Sequence, residues 1–302
     1  MRPQLFLLLL ASIAFTASAE PLAQHVVVIG IDGLSPLGIH QTETPHIDQL
    51  VQRDAHTWKA RAVMPTSSSP NWASMISGAG PEQHGVTSNK WQLDNDTIEP
   101  TTRGPGSMFP TTFAVLREQR PEADIALFHD WKGLARLIET DLCDVVINPP
   151  GDKHTSEAAF ATAQAAATYF AAHRPTFTFV HLDHVDHAGH QPGWLSEPYL
   201  FAVREADQLV GQIIAAIEAS GATENTLVLL TADHGGLGTK HGGESMIELE
   251  IPWIIAGPGV KKDHEITKTV NTYDTAATLA KALGVTPPDK WIAKPVDDAF
   301  VE

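Results

Sequence analysis

Apolar runs of strand length recur along the chain at residues 25–31, 124–128, 144–148, 177–182, 227–231 and 252–255. They are short blocks rich in Val, Ile, Leu or Phe, as expected of strands buried on both faces. Between them, residues 44–53, 70–76, 111–119, 155–172, 197–219 and 273–283 carry helical patterns. The 197–219 segment is the clearest. Val203, Ala206, Leu209, Val210, Ile213, Ile214 and Ile217 recur at helical spacing, and Gly221 stands where such a helix would stop. Strands alternating with helices of this length predict βαβ units, and hence a three-layer α/β/α sandwich around a mostly parallel sheet. No linker, charge run or internal repeat divides residues 20–302, so a single domain is expected there. Residues 91–110, rich in Pro, Gly, Thr and Asp, predict a long irregular loop.

Three of these strands run into metal-ligand chemistry. HVVVIGID delivers Asp32, FTFVHLDHVDHAGH delivers Asp186 and His190, and TLVLLTADHGG delivers Asp233 and His234. Open α/β sheets place their ligands beyond the carboxyl ends of strands, and packing gives no reason for carboxylates and imidazoles to gather there. The candidates fall into two sets. Asp32, Asp233 and His234 form one; Asp186 and His190, with His241 from the glycine-rich GGLGTKHGGES, form the other. Carboxylate oxygen mixed with imidazole nitrogen suits Zn²⁺ and leaves a coordination position open. Two Zn²⁺ ions are therefore expected, with Mn²⁺ or iron able to replace them according to supply. Asp183, His184 and His187 crowd the same segment and are read as groups that orient ligands or face solvent. His84 is read as a structural hydrogen-bonding residue, and Trp72 and Trp91 as either core or pocket wall.

A nucleophile is sought in MPTSSSPNWASM. With Ser69 as N-cap and Pro70 as first helical residue, Ser68 lies at the mouth of a helix N-terminus, where amide donors and the dipole favour an anion. Thr66, Ser67 and Ser69 are alternatives on chemistry alone.

The stretch MPTSSSPNWASMISGAGPEQHGVTSN resembles the nucleophile region of the type I phosphodiesterase/nucleotide pyrophosphatase branch of the alkaline phosphatase superfamily. That family has Pro-Thr-x-Thr/Ser-x-Pro-Asn and, later, His-Gly-Ile/Val followed by Asn. The resemblance runs over residues 25–283 with the motifs in family order. It implies that Ser68 is the nucleophile and Asn89 the amide that contacts phosphate. It further implies that Asp32, Asp233 and His234 share one zinc with Ser68, while Asp186, His190 and His241 hold the other. The implied reaction cleaves a phosphodiester or pyrophosphate bond of a small phosphate-containing substrate through a covalent phosphoseryl intermediate.

Two departures blur the substrate. Ser69 stands where nucleotide-cleaving members often have an aromatic residue, and the family's long insertions are missing. A diester is expected over a monoester, because no arginine is found near Ser68 or in the loops of Asp186 and Asp233; Lys90 and Lys240 are the only nearby cations in the sequence. The alternatives are a phosphomonoesterase or a sulfatase-like hydrolase of the same superfamily. Sulfatases need an arginine two residues after the proline, and Trp72 occupies that place. A periplasmic zinc-binding protein would use the same ligands but would need neither Ser68 nor Asn89.

The net charge of −16 opposes nucleic-acid polymers as partners, which need a basic footprint. It leaves small phosphate compounds compatible, since bound divalent cations reverse the local field. Arg2, an apolar stretch over 5–15 and Ala17-Ser18-Ala19 predict a cleaved signal peptide over residues 1–19. The stretch is shorter than the ~17 residues a membrane span needs. A periplasmic or secreted protein without a membrane anchor is therefore expected. Cys143 is the sole cysteine, which excludes an intrachain disulfide.

Overall fold

The computed structural model describes residues 20–95, 97–150 and 154–301. The expected signal peptide over 1–19 lies outside them. Among the described residues the strands are β1 (His25–Ile31), β2 (Ala55–Arg61), β3 (Ile125–His129), β4 (Val145–Ile147), β5 (Phe177–Leu182), β6 (Thr226–Thr231), β7 (Glu250–Ala256) and β8 (His264–Glu265). The helices are α1 (Pro36–His40), α2 (Pro45–Arg53), α3 (Ser68–Ser77), α4 (Pro81–His84), α5 (Thr112–Gln119), α6 (Ser156–His173), α7 (His184–His190), α8 (Glu197–Ala219), α9 (Met246–Leu249) and α10 (Asp274–Leu283).

The strands form one sheet in the order β4-β3-β5-β1-β6-β7-β2-β8. Within it β7 runs antiparallel to both its neighbours, and every other pairing is parallel. The strands β1, β5 and β6 are buried at nearly every position, as their continuous apolar runs require. Helices pack on both faces: α6 lies against α8 on one side, and α3, α5 and α10 lie together on the other. This is the α/β/α sandwich that the alternation of strands and helices predicts.

Register sets where the chemistry emerges. On β1, Ile31 pairs with Leu182 of β5, and Gly30 with Thr231 of β6. Asp32, Asp183 and Asp233 therefore leave three adjacent strands side by side at the carboxyl edge. The Asp32 amide still donates to the Leu182 carbonyl at 2.9 Å, which carries the ladder into the site.

Several local expectations change. The strand expected over 177–182 is β5, but the ligand-bearing residues after it form an unexpected helix: Asp186 and His190 stand in α7, four residues apart on one helical face. The nucleophile helix starts earlier than expected, because Ser67 is the extended N-cap and Ser68 the first helical residue. Pro70 is tolerated inside the first turn, where an amide would have no acceptor. The strands β2 and β8 and the short helices α1, α4, α7 and α9 were not expected. The 91–110 segment is irregular apart from the 3-10 turn Pro105–Ser107, Asp96 lying outside the described residues. No helix among the described residues is long and apolar enough to cross a membrane.

Candidate metal centre and nucleophile

The site is assembled by two close approaches. Gly33 takes φ +68°, and a β-carbon there would sit 2.7 Å from Asp186 Cα. Only glycine permits both that turn and that contact, so Gly33 lets the β1 loop lie against α7 and brings Asp32 beside Asp186. Below it, Gly30 leaves room for the Trp72 indole, which would meet an added β-carbon at 2.5 Å. Trp72 is fully buried and donates Nε1–H to Asp32 Oδ2 at 3.0 Å. It belongs to the core and at the same time fixes a site carboxylate. Trp91 is a core residue, and His84 joins Ser74 Oγ at 2.9 Å to the amide of Val86 at 3.0 Å, as a structural residue would.

The first set converges on one atom. His234 Nε2 lies 3.2 Å from Asp233 Oδ2, 3.4 Å from Asp32 Oδ1 and 3.4 Å from Ser68 Oγ. The second set gathers around Asp186, with His190 Nε2 at 3.3 Å and His241 Nε2 at 3.7 Å from its two oxygens. The sets adjoin, because donor atoms of Asp32, Asp186 and His234 lie within 4.8 Å of one another. All seven residues expected to hold metal, Ser68 included, are brought together.

Three observations test whether a metal fits. In a tetrahedral site with ligands at about 2.0–2.1 Å, neighbouring donors stand roughly 3.3 Å apart, close to the separations seen. The buried oxygens Asp32 Oδ1, Asp186 Oδ1 and Asp233 Oδ2 have no hydrogen-bond partner, so a cation would satisfy them. Each histidine also places Nδ1 at 2.9 Å from a backbone carbonyl: Gly235 for His234, Thr239 for His190 and Thr66 for His241. A carbonyl only accepts, so Nδ1 carries a proton, and Nε2 is the nitrogen left to face the site and available to a cation that displaces any proton on it. The donor set fits divalent metal.

The titrations carry the same strain. Burial, and then the charges of Asp32 and Asp186, raise Asp233 well above the ordinary carboxylate range; burial and Asp32 raise Asp186. Burial also pushes Asp32 upward, but the bond from His181 and the charges of His234 and His181 outweigh it and hold Asp32 low. The hydrogen bond to Asp186 lifts His190 to about 9. Burial lowers His234, and burial with the adjacent His234 lowers His241, whose ring stacks on it at 3.8 Å.

Asn89 is placed by its own amide. The Ser69 N–H donates to Asn89 Oδ1 at 2.7 Å, which turns Nδ2 toward Ser68 Oγ at 3.5 Å. Two groups here escaped the sequence reading. His181 is fully buried between Asp32 Oδ2 at 3.3 Å and Asp130 Oδ1 at 3.4 Å; a histidine inside the β5 run was the available signal. Arg136 donates to the Asn89 carbonyl at 3.0 Å, so the expectation of no arginine near the nucleophile is corrected. Lys90 and Lys240 are exposed. Asp183 is buried against His154 and Asp130, His184 bonds the Ala202 carbonyl at 3.2 Å, and His187 is exposed.

Comparison with known proteins agrees with this architecture. Arylsulfatase K of Danio rerio is 35% identical over 92 residues, 29% of this chain and 18% of that protein. Ectonucleotide pyrophosphatase/phosphodiesterase family member 3 of Rattus norvegicus is 22% identical over 219 residues, 70% of this chain and 24% of that protein. The chain thus spans less than a quarter of the length of either relative. An alkaline phosphatase, PafA, superposes with TM-score 0.77 at 11% identity, covering 94% of this chain and all of that one. Murine ectonucleotide pyrophosphatase/phosphodiesterase 5 gives 0.72 at 15% identity, over 88% of this chain and 96% of that one. A 2-O GAG sulfatase gives 0.75 at 18%, over 90% and 73%. At these identities the structural likeness establishes the fold. Residues 26–250, most of the chain and every candidate site residue, match the type I phosphodiesterase / nucleotide pyrophosphatase description, and the chain belongs to that family.

Proposed function

We propose that the protein is a metal-dependent phosphohydrolase that cleaves phosphodiester or pyrophosphate bonds of small substrates through a phosphoseryl intermediate, in the periplasm or outside the cell. The carrying observation is Ser68 Oγ at the start of α3, 3.4 Å from His234 Nε2 and 3.5 Å from Asn89 Nδ2. The residues that fit metal are Asp32, Asp233, His234 and Ser68 for one ion, and Asp186, His190 and His241 for the other. Bound there, zinc would supply Lewis-acid stabilisation of phosphoryl charge and lower the pKa of a coordinated hydroxyl or water.

The chain's own residues do the rest. Ser68 Oγ attacks phosphorus, and the bond to the leaving oxygen breaks as the Oγ–P bond forms. Asn89 Nδ2 donates to a non-bridging oxygen, and its orientation is fixed in advance by Ser69 N–H. Water then cleaves the Oγ–P bond and returns the Ser68 hydroxyl. A sulfatase reading, raised by the arylsulfatase relatives, is weakened by Trp72: its indole is locked on Asp32, where conversion of the nucleophile would need an arginine.

Ser68→Ala should lose at least ~10³-fold in kcat toward a nitrophenyl phosphodiester, while elemental analysis still finds bound metal, held by the remaining ligands. Ser67→Ala should keep most activity. An active Ser68→Ala beside a dead Ser67→Ala would mean that the nucleophile has been placed one residue off.

A further inference from the structure

The two ligand sets are held in different ways. Asp32, Asp233 and His234 are fully buried where β1 and β6 end, so core packing fixes them. His190 is half-exposed, and His241 rides on residues 235–243, GGLGTKHGG, in which five of nine residues are glycine. A segment of that composition has many backbone conformations open to it. Contacts from outside must hold it still if His241 is to stand beside Asp186 and His190.

Trp194, in the connection between α7 and α8, supplies them. It is buried among three parts of the site. Its Nε1–H donates at 2.9 Å to the carbonyl of Gly33, in the loop that carries Asp32 against α7. Its backbone N–H donates at 2.8 Å to the carbonyl of Gly238, inside the glycine-rich segment. A β-carbon on Gly236 would sit 2.2 Å from the indole, and one on Gly189 of α7 would sit 2.6 Å from it, so the ring is wedged between segment and helix. There it meets both imidazoles of the second set edge to face, with centroids 5.4 Å from His190 and 6.1 Å from His241. The carbonyl beside His190 Nδ1 belongs to Thr239, so the bond to Gly238 also steadies that partner. Leu195, the next residue, is held at φ +66°, a left-handed conformation that persists only where its surroundings enforce it.

Resting on the two-ion reading above, we propose that Trp194 is the positioning residue of the second metal site. It orders the glycine-rich segment in advance, so the ion held by Asp186, His190 and His241 need not order it on binding. The ion at Asp32, Asp233 and His234 has no such dependence.

Chelator-stripped wild type, Trp194→Phe, Trp194→Leu, His190→Ala and the double variant His190→Ala/Trp194→Phe are titrated with Zn²⁺ by calorimetry. Wild type should take up two ions. Trp194→Leu should keep one at wild-type affinity and bind the other at least ~10-fold more weakly, the size of effect that loss of a ligand-orienting partner has elsewhere. Trp194→Phe keeps a ring but loses the bond to Gly33, and should fall between. His190→Ala already lacks a ligand of the second ion, so adding Trp194→Phe should change its remaining zinc affinity less than about threefold. The emission of Trp194, taken as wild type minus Trp194→Phe, should shift with one equivalent of zinc only, a readout that does not require the leucine variant to fold. Equal weakening of both ions would make Trp194 a plain core residue and overturn the proposal; so would two unchanged affinities, or emission indifferent to zinc. A folded wild type that binds no zinc would instead sink the two-ion reading itself.

Discussion

Glu139 shows how one buried side chain can set a pH dependence of stability. It is buried; the Thr111 hydroxyl donates to Oε2, and Oε1 has no partner. Burial raises its pKa from 4.5 to about 7 against the lowering effect of the Thr111 bond. Over that interval the folded protein keeps a proton that the unfolded chain has released. Stability therefore falls as pH rises from about 4.5 to about 7 and then levels off. The difference amounts to about 3 kcal/mol, since each tenfold change in proton affinity is worth about 1.4 kcal/mol. Glu139→Gln removes the titration, so it should melt several degrees above wild type at pH 8 and much closer to it at pH 4.5. Calorimetry of both proteins at the two pH values checks this, and parallel pH profiles would refute it. Cys143 feels the same setting, with its thiol pushed up to about 12 by burial first and Glu139 second, as suits a packed and unreactive cysteine.

At the scale of elements, Ser68, the proposed nucleophile, is positioned by the turn that leads into α3. Asn71, fully buried, accepts from Val63 N at 2.6 Å and donates from Nδ2 toward the carbonyls of Val63, Pro65 and Ser67 at 3.2, 3.1 and 2.9 Å. One amide thus ties down the residues just before Ser68. Asn71→Ala strands several buried polar groups and should cost about 3 kcal/mol of stability. It should also lower kcat more than it changes KM, since it loosens the attacking group without touching the substrate. Urea unfolding and steady-state kinetics test both, and unchanged kcat in a folded variant would count against this positioning role. The strands that deliver Asp32 and Asp233 could be read from sequence because each is an unbroken apolar block ending in polar residues. Other elements offered weaker signals. In α7, HVDHAGH has only Val185 and Ala188 as clear apolar positions, too few for a periodicity. In β2, AHTWKAR buries Ala55, Thr57 and Ala60, whose small or polar character, with the register shift between Thr57 and Ala60, breaks the alternation. Arg136 was out of reach for another reason: 47 residues separate it from Asn89, and only the path of the β3 loop joins them.

For the molecule as a whole, the proposed metal site is a fault line in an otherwise apolar core. Asp32, Asp186 and Asp233 crowd together at the meeting point of β1, β6 and α7, in a chain of net charge −16. Without cations, burial and mutual repulsion raise Asp186 and Asp233, so the folded metal-free protein holds protons that the unfolded chain would release. Its stability should therefore decline as pH rises above the ordinary carboxylate range. Metal replaces those protons and binds only the folded arrangement, so it should add about 4 kcal/mol when free metal stands a thousandfold above its Kd. Three outcomes follow for protein stripped with a chelator. Phosphodiesterase activity should vanish and return with Zn²⁺; the purified protein should carry about two zinc per chain; and the gap in Tm between loaded and stripped protein should widen from pH 6 to pH 8. Widening is the decisive part. A structural ion elsewhere would stabilise the fold without tracking the titration of this cluster, whereas ions that neutralise Asp186 and Asp233 must gain affinity as the competing protons leave. Scanning calorimetry across that range, with metal content measured on the same samples, decides it: a constant gap, or magnesium or calcium in place of zinc, would refute the two-zinc assignment.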